Sequence, residues 1–154
     1  MAKFYLFKHN DRELRNKILL RRSTTENLLK FLLEREYNIV NSEFRRNNYG
    51  EPFLYKQNIK FSISYSENFI ICVIGENDIG VDIEKITSIK ISSFSNVLSF
   101  NEFQHIKRNQ EKEQYTEFYR VWTAKESYIK AIRRGLYKSL SSFELDFMSN
   151  LKML

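Results

Sequence analysis

The chain has 154 residues, with 25 Lys and Arg against 19 Asp and Glu, a formal net charge of +6 and a pI near 9.4. That length suits one domain, 13 Phe and 9 Tyr supply a continuous core, and a single Cys excludes a disulfide framework. No apolar run is long enough to cross a membrane and no N-terminal signal region is visible, so a reducing, cytoplasmic setting is expected, with an anionic partner: nucleic acid, a phosphorylated small molecule or an acidic protein.

KFYLFK at the start reads as a strand. Ser23 and Glu26 form a possible capping box ahead of Leu28, Leu29, Leu32 and Leu33, whose spacing predicts a helix from about 24 to 37. Tyr49-Gly50-Glu51-Pro52 marks a turn. Phe61, Ile63 and Tyr65 then alternate with Ser62, Ser64 and Ser66, which predicts a strand with one small, hydroxylated face. Glu67 and Asn68 suit a hairpin turn into FIICVIG, where Cys72 reads as a buried thiol. GENDIG leads into VDIEKI, read as a further strand. Ser99 and Glu102 offer a second capping box for a short helix through Phe103 and Ile106, and a longer helix is predicted from about 115 to 134, stopped by Gly135. SSFELDF, with Phe143, Leu145 and Phe147 alternating, reads as a last strand.

Two features carry chemistry. In an extended VDIEKI, Asp82 and Glu84 point the same way about 7 Å apart and repel unless a cation lies between them. The plainer reading is the solvated face of a strand. In WTAKESYIK, Trp122, Glu126 and Lys130 are four apart and line one stripe of a helix. The plainer reading there is an ordinary salt bridge beside a core Trp. Taken together, Asp82, Glu84 and Glu126 make an oxygen-only set suited to Mg²⁺, which binds a few carboxylates plus substrate phosphates, and Lys130 would face the same phosphates.

GVDIE followed some forty residues later by WTAKESYIKA resembles the paired signature of the 4'-phosphopantetheinyl transferase superfamily, nearest its surfactin-synthetase-activating type, shortened at the C-terminus. Tyr49-Gly50-Glu51-Pro52, Ser64-Tyr65-Ser66, FIICVI and GLYKSLSSFEL extend the likeness over roughly residues 20 to 147. The resemblance implies an α+β fold of two pseudo-related halves, about 1–76 and 77–154. Each half is a helix packed on a small antiparallel sheet, and the active site lies in the cleft between them. It further implies an enzyme that moves the 4'-phosphopantetheine arm of coenzyme A to a serine of an apo acyl or peptidyl carrier protein and releases 3',5'-adenosine bisphosphate. Asp82, Glu84 and Glu126 would hold Mg²⁺, Glu126 and Lys130 would be catalytic, and Arg21, Arg22, Ser64, Tyr65 and Lys130 would bind substrate.

Three positions depart from the family pattern, and each removes positive charge from the grip on coenzyme A: Tyr65 stands for a histidine, Glu51 for a lysine and Glu26 for an arginine, with Arg21 and Arg22 near enough to replace the last. Relatives continue through further strands, so either a shortened sheet or a partner subunit is expected, as a monomer or a homo-oligomer. Two other functions compete. A degenerate relative would bind a carrier protein or coenzyme A without transfer, and a Mg²⁺ nuclease would share the acids. The absence of a basic run along the chain argues against nucleic acid. His9 and His105 stand apart from any ligand cluster, and Glu144 and Asp146 read as a solvated strand face.

Overall fold

The computed structural model describes residues 1–9, 18–133 and 139–146, with side chains at 18–21 left aside. β1 (Lys3–Lys8), β5 (Phe69–Gly75) and β4 (Lys60–Ser66) form an antiparallel sheet in the order β1-β5-β4, with Tyr5 opposite Cys72 and Ile63 opposite the same residue on the other side. β2 (Phe44–Arg46) and β3 (Pro52–Leu54) form a separate hairpin around the Tyr49-Gly50 turn. There the Asn47 side chain accepts from the amides of Tyr49 and Glu51, and Gly50 adopts φ +81.

The predicted capping box at Ser23 does not form, because α1 already runs from Ile18 to Tyr37 and Ser23 lies inside it. ILLRR consists of good helix formers, so propensity carries the helix back past the expected start. Its end follows the αL pattern: Asn38 is left-handed at φ 54 and its amide donates to Glu34 O at 3.2 Å, while the Ile39 amide reaches back to Leu33 O at 3.0 Å. Leu29, Leu32 and Leu33 pack α1 onto Phe61, Cys72 and Ile74 of the sheet.

The second part of the chain is helical. α2 (Phe100–Lys107) starts at the predicted box, with Ser99 and Glu102 each bonded to the other's backbone amide. α3 (Glu111–Ile132) begins four residues earlier than predicted and ends at Arg133 in the left-handed region, while Gly135 lies outside the described residues. Phe118 and Val121 of α3 bury against Ile91, Leu98 and Ile106. Trp122 joins this cluster, stacked on Phe118 and edge-on to Phe94.

The fold class is α+β, and every strand among the described residues lies between Lys3 and Gly75. Two predicted strands therefore need correction. Residues 81–90 carry no ladder, because the amides of Val81 and Lys85 donate to Ser62 Oγ at 3.1 Å and Ser66 Oγ at 2.9 Å instead of to backbone carbonyls. SSFELDF forms a 3₁₀ turn over Leu140–Ser142 and then an irregular stretch to 146, fixed by carbonyls that accept from Lys125; Phe147 lies outside the described residues. No helix among the described residues is long and apolar enough to cross a membrane.

Candidate functional site

The hydroxylated face of β4 holds the acidic segment. Ser64 is buried, and its hydroxyl donates to Asp82 Oδ1 at 2.6 Å, between the two serines that bind the amides of Val81 and Lys85. Gly80 brings the same segment against α3. A Cβ there would meet Ser127 O at 1.8 Å and Ala131 N at 2.7 Å, so only glycine allows this approach.

That contact delivers Asp82 to α3. Lys130 Nζ lies 2.7 Å from Asp82 Oδ1 and 3.2 Å from Val81 O, a pairing across 48 residues of chain. Asp82 Oδ2 is buried and finds no hydrogen-bond partner. Burial raises the pKa of the Glu126 carboxyl, Asp82's charge raises it further, Lys130 opposes, and Glu51 adds to the rise. Glu84 is exposed overall, yet partial desolvation raises its carboxyl too, and the charges of Asp82 and Glu126 act in the same direction against Lys130 and a hydrogen bond from Ser66. Asp82, Glu84 and Glu126 thus lie within electrostatic reach of one another. Among the described residues, no three acids, histidines or cysteines are gathered closely enough to hold a metal as they stand. The donor set nevertheless fits a hard divalent cation: it is all oxygen, its carboxylates gain from added positive charge, and one buried oxygen lacks a partner.

Beside this cluster opens a cleft of about 460 Å³ between α1, the β2–β3 hairpin, β4 and α3. Arg22, Arg45, Arg46, Lys130 and Arg133 line it, against Glu26, Glu51 and Glu126, and Phe44, Phe61, Ile63 and Tyr65 supply apolar surface. Of the predicted substrate residues, Arg22, Tyr65 and Lys130 reach this cleft, whereas Ser64 stands behind Asp82 and is not part of the lining. The Arg21 side chain lies outside the described residues.

Sequence reasoning passed over several residues that build the site. Arg45 and Arg46 stood in plain view as a dibasic pair ahead of the Tyr-Gly turn. Gly80 preceded the acidic segment, but its meaning depends on α3. Lys125, next to Glu126, is fully buried: it pairs with Glu102 Oε2 at 2.7 Å and donates to the carbonyls of Leu140 and Phe143, each at 2.7 Å. Glu102 Oε1 meanwhile accepts from the Leu145 amide at 3.1 Å, so one buried ion pair ties α2, α3 and residues 139–145 together.

Residues 78–153 match the family described as the 4'-phosphopantetheinyl transferase superfamily. The chain is 39% identical over 126 residues to the 4'-phosphopantetheinyl transferase gsp of Aneurinibacillus migulanus, covering 77% of this chain and 53% of that protein. It is 31% identical over 121 residues to the 4'-phosphopantetheinyl transferase Sfp of Bacillus subtilis (strain 168), covering 77% and 54%. A more distant relative is the L-aminoadipate-semialdehyde dehydrogenase-phosphopantetheinyl transferase of Rattus norvegicus, 30% identical over 142 residues, covering 77% and 44%. The chain therefore spans about half the length of the curated relatives it matches.

Proposed function

Because the chain belongs to the 4'-phosphopantetheinyl transferase superfamily, we propose that it transfers the phosphopantetheine arm of coenzyme A to a serine hydroxyl of an apo acyl or peptidyl carrier protein. The serine oxygen forms a new bond to the phosphorus bearing the pantetheine. The bond from that phosphorus to the bridging pyrophosphate oxygen breaks, and 3',5'-adenosine bisphosphate leaves. Glu126, a stronger base than an ordinary carboxylate because of its burial, accepts the serine proton. Lys130, oriented by Asp82 and the Val81 carbonyl, faces the phosphates and offsets charge on the leaving group.

Asp82, Glu84 and Glu126 would hold Mg²⁺, which supplies charge neutralisation on the pyrophosphate when bound. Ser64 acts through Asp82 by fixing its carboxylate, while Arg22 and Tyr65 offer the cleft a cation and a phenol for the nucleotide end. Both substrates would suit a chain of net charge +6, since coenzyme A is anionic and an acidic carrier surface would be attracted.

The observation that carries this reading is the meeting of Asp82, from a loop, with Lys130, from α3, at 2.7 Å beside a carboxylate oxygen that has no partner. Intact-mass analysis of apo carrier proteins incubated with coenzyme A, Mg²⁺ and this protein tests it. The carrier should gain the phosphopantetheine mass, and Glu126→Gln should slow that gain by at least about 100-fold, roughly 2.7 kcal/mol of barrier. Unmodified carriers across acyl and peptidyl types would defeat the proposal.

A further inference from the structure

Arg133 stands at the end of α3 in a backbone conformation that arginine rarely adopts, with φ 54 and ψ 29. A residue with a Cβ is strained there and glycine is not. Two contacts hold the conformation: the Arg133 amide donates to Lys130 O at 3.3 Å, and its carbonyl accepts from Asn47 Nδ2 at 2.9 Å, across 86 residues. The Asn47 side chain that makes this bond also organises the Tyr49-Gly50 turn, so the helix end and the hairpin are clasped together on one wall of the cleft. Arg133 lines that cleft one turn beyond Lys130.

The neighbouring charges explain why a strained arginine would be kept. Lys130 already gives two of its three donors to Asp82 and Val81 O, so it has one left for a ligand and a second cation would add grip. Glu51 and Tyr65, at two positions where a cation would help an anionic ligand, provide none. A guanidinium makes paired, directional hydrogen bonds to phosphate and stays charged at every working pH. We infer that Arg133 is a phosphate-binding residue of the cleft, held in a left-handed turn by Asn47 so that its guanidinium meets a phosphate group of coenzyme A. This rests on the transferase reading above.

Calorimetric titration of the full chain with coenzyme A, and in parallel with 3'-dephospho-coenzyme A, tests the inference on wild type, Arg133→Gly and Arg133→Lys. Glycine suits the turn, so Arg133→Gly should keep its thermal midpoint within about 4 °C of wild type or above it. It should weaken coenzyme A binding about 10-fold, and Arg133→Lys should recover part of the loss. A penalty that persists with 3'-dephospho-coenzyme A assigns the contact to the pyrophosphate, and one that disappears assigns it to the 3'-phosphate. Wild-type affinity in a folded Arg133→Gly overturns the inference while leaving the transferase reading in place. Failure of the wild type to bind either nucleotide overturns both.

Discussion

Two lysines five residues apart on α3 each meet a carboxylate at 2.7 Å, and they have opposite surroundings. Lys125 and Glu102 are both fully buried, and their polar atoms are bonded to one another and to backbone groups on two segments of chain, 97–99 and 140–145. Lys130 keeps a quarter of its side chain in solvent and sits over Asp82, one of whose oxygens is buried without a partner. A saturated ion pair holds segments together and has no capacity left for a ligand. An unsaturated pair at the edge of a cleft has that capacity, so burial and bonding set apart two lysines that share one helix.

The largest expected effect breaks this contrast on its buried side. Lys125→Ala leaves the Glu102 carboxylate buried without its cation and frees three carbonyls, which should cost about 3–5 kcal/mol of stability in denaturant unfolding. Lys130→Ala, at a side chain one quarter exposed to water, should cost only about 1–2 kcal/mol while removing most of the proposed transfer activity. Equal losses of stability for the two variants would erase the distinction. Next in size, Gly80→Ala forces a methyl group into the backbone of α3 and should destabilise by about 1–3 kcal/mol, because both sides of the contact are main chain. An unchanged unfolding midpoint would contradict a main-chain contact at Gly80.

The smallest effect concerns pH. Glu84 and Glu126 have folded-state pKa values above the ordinary 4.5, so the folded chain holds these protons more tightly than the unfolded one. Their contribution is fully present below the ordinary value and is lost as pH rises through the raised one, giving a falling slope of stability in metal-free buffer. Glu126→Gln should flatten that slope, and unfolding curves collected across the acid range measure it. A slope unaffected by the substitution would place its origin elsewhere.

Much of the site was legible because it depends on local spacing. A four-residue interval on a helix fixes which side chains share a face, and Glu126 and Lys130 do line the same cleft. The Ser99–Glu102 box was legible for the same reason. What escaped the sequence depends on distant partners. VDIEKI has the alternation of a strand, but the amides of Val81 and Lys85 are taken by serine hydroxyls, and nothing in six residues distinguishes an extended loop from a ladder. Lys125 looks like any helix-surface lysine until residues 139–145 fold over it. Trp122 shares its interval with Glu126 and packs in the aromatic cluster with Phe94 and Phe118, the core position that the plainer reading gave it.

The close approach at Gly80 has a consequence for how the Asp82–Lys130 pair responds to its medium. Its backbone touches Ser127 and Ala131, so a steric wall lies two residues from Asp82 and one from Lys130. Hard-core repulsion and main-chain contact, more than attraction between opposite charges, then set the spacing of that pair. Ionic strength screens the second and leaves the first untouched. Added salt should therefore loosen the hold of the cleft on a diffusing anion well before it separates aspartate from lysine.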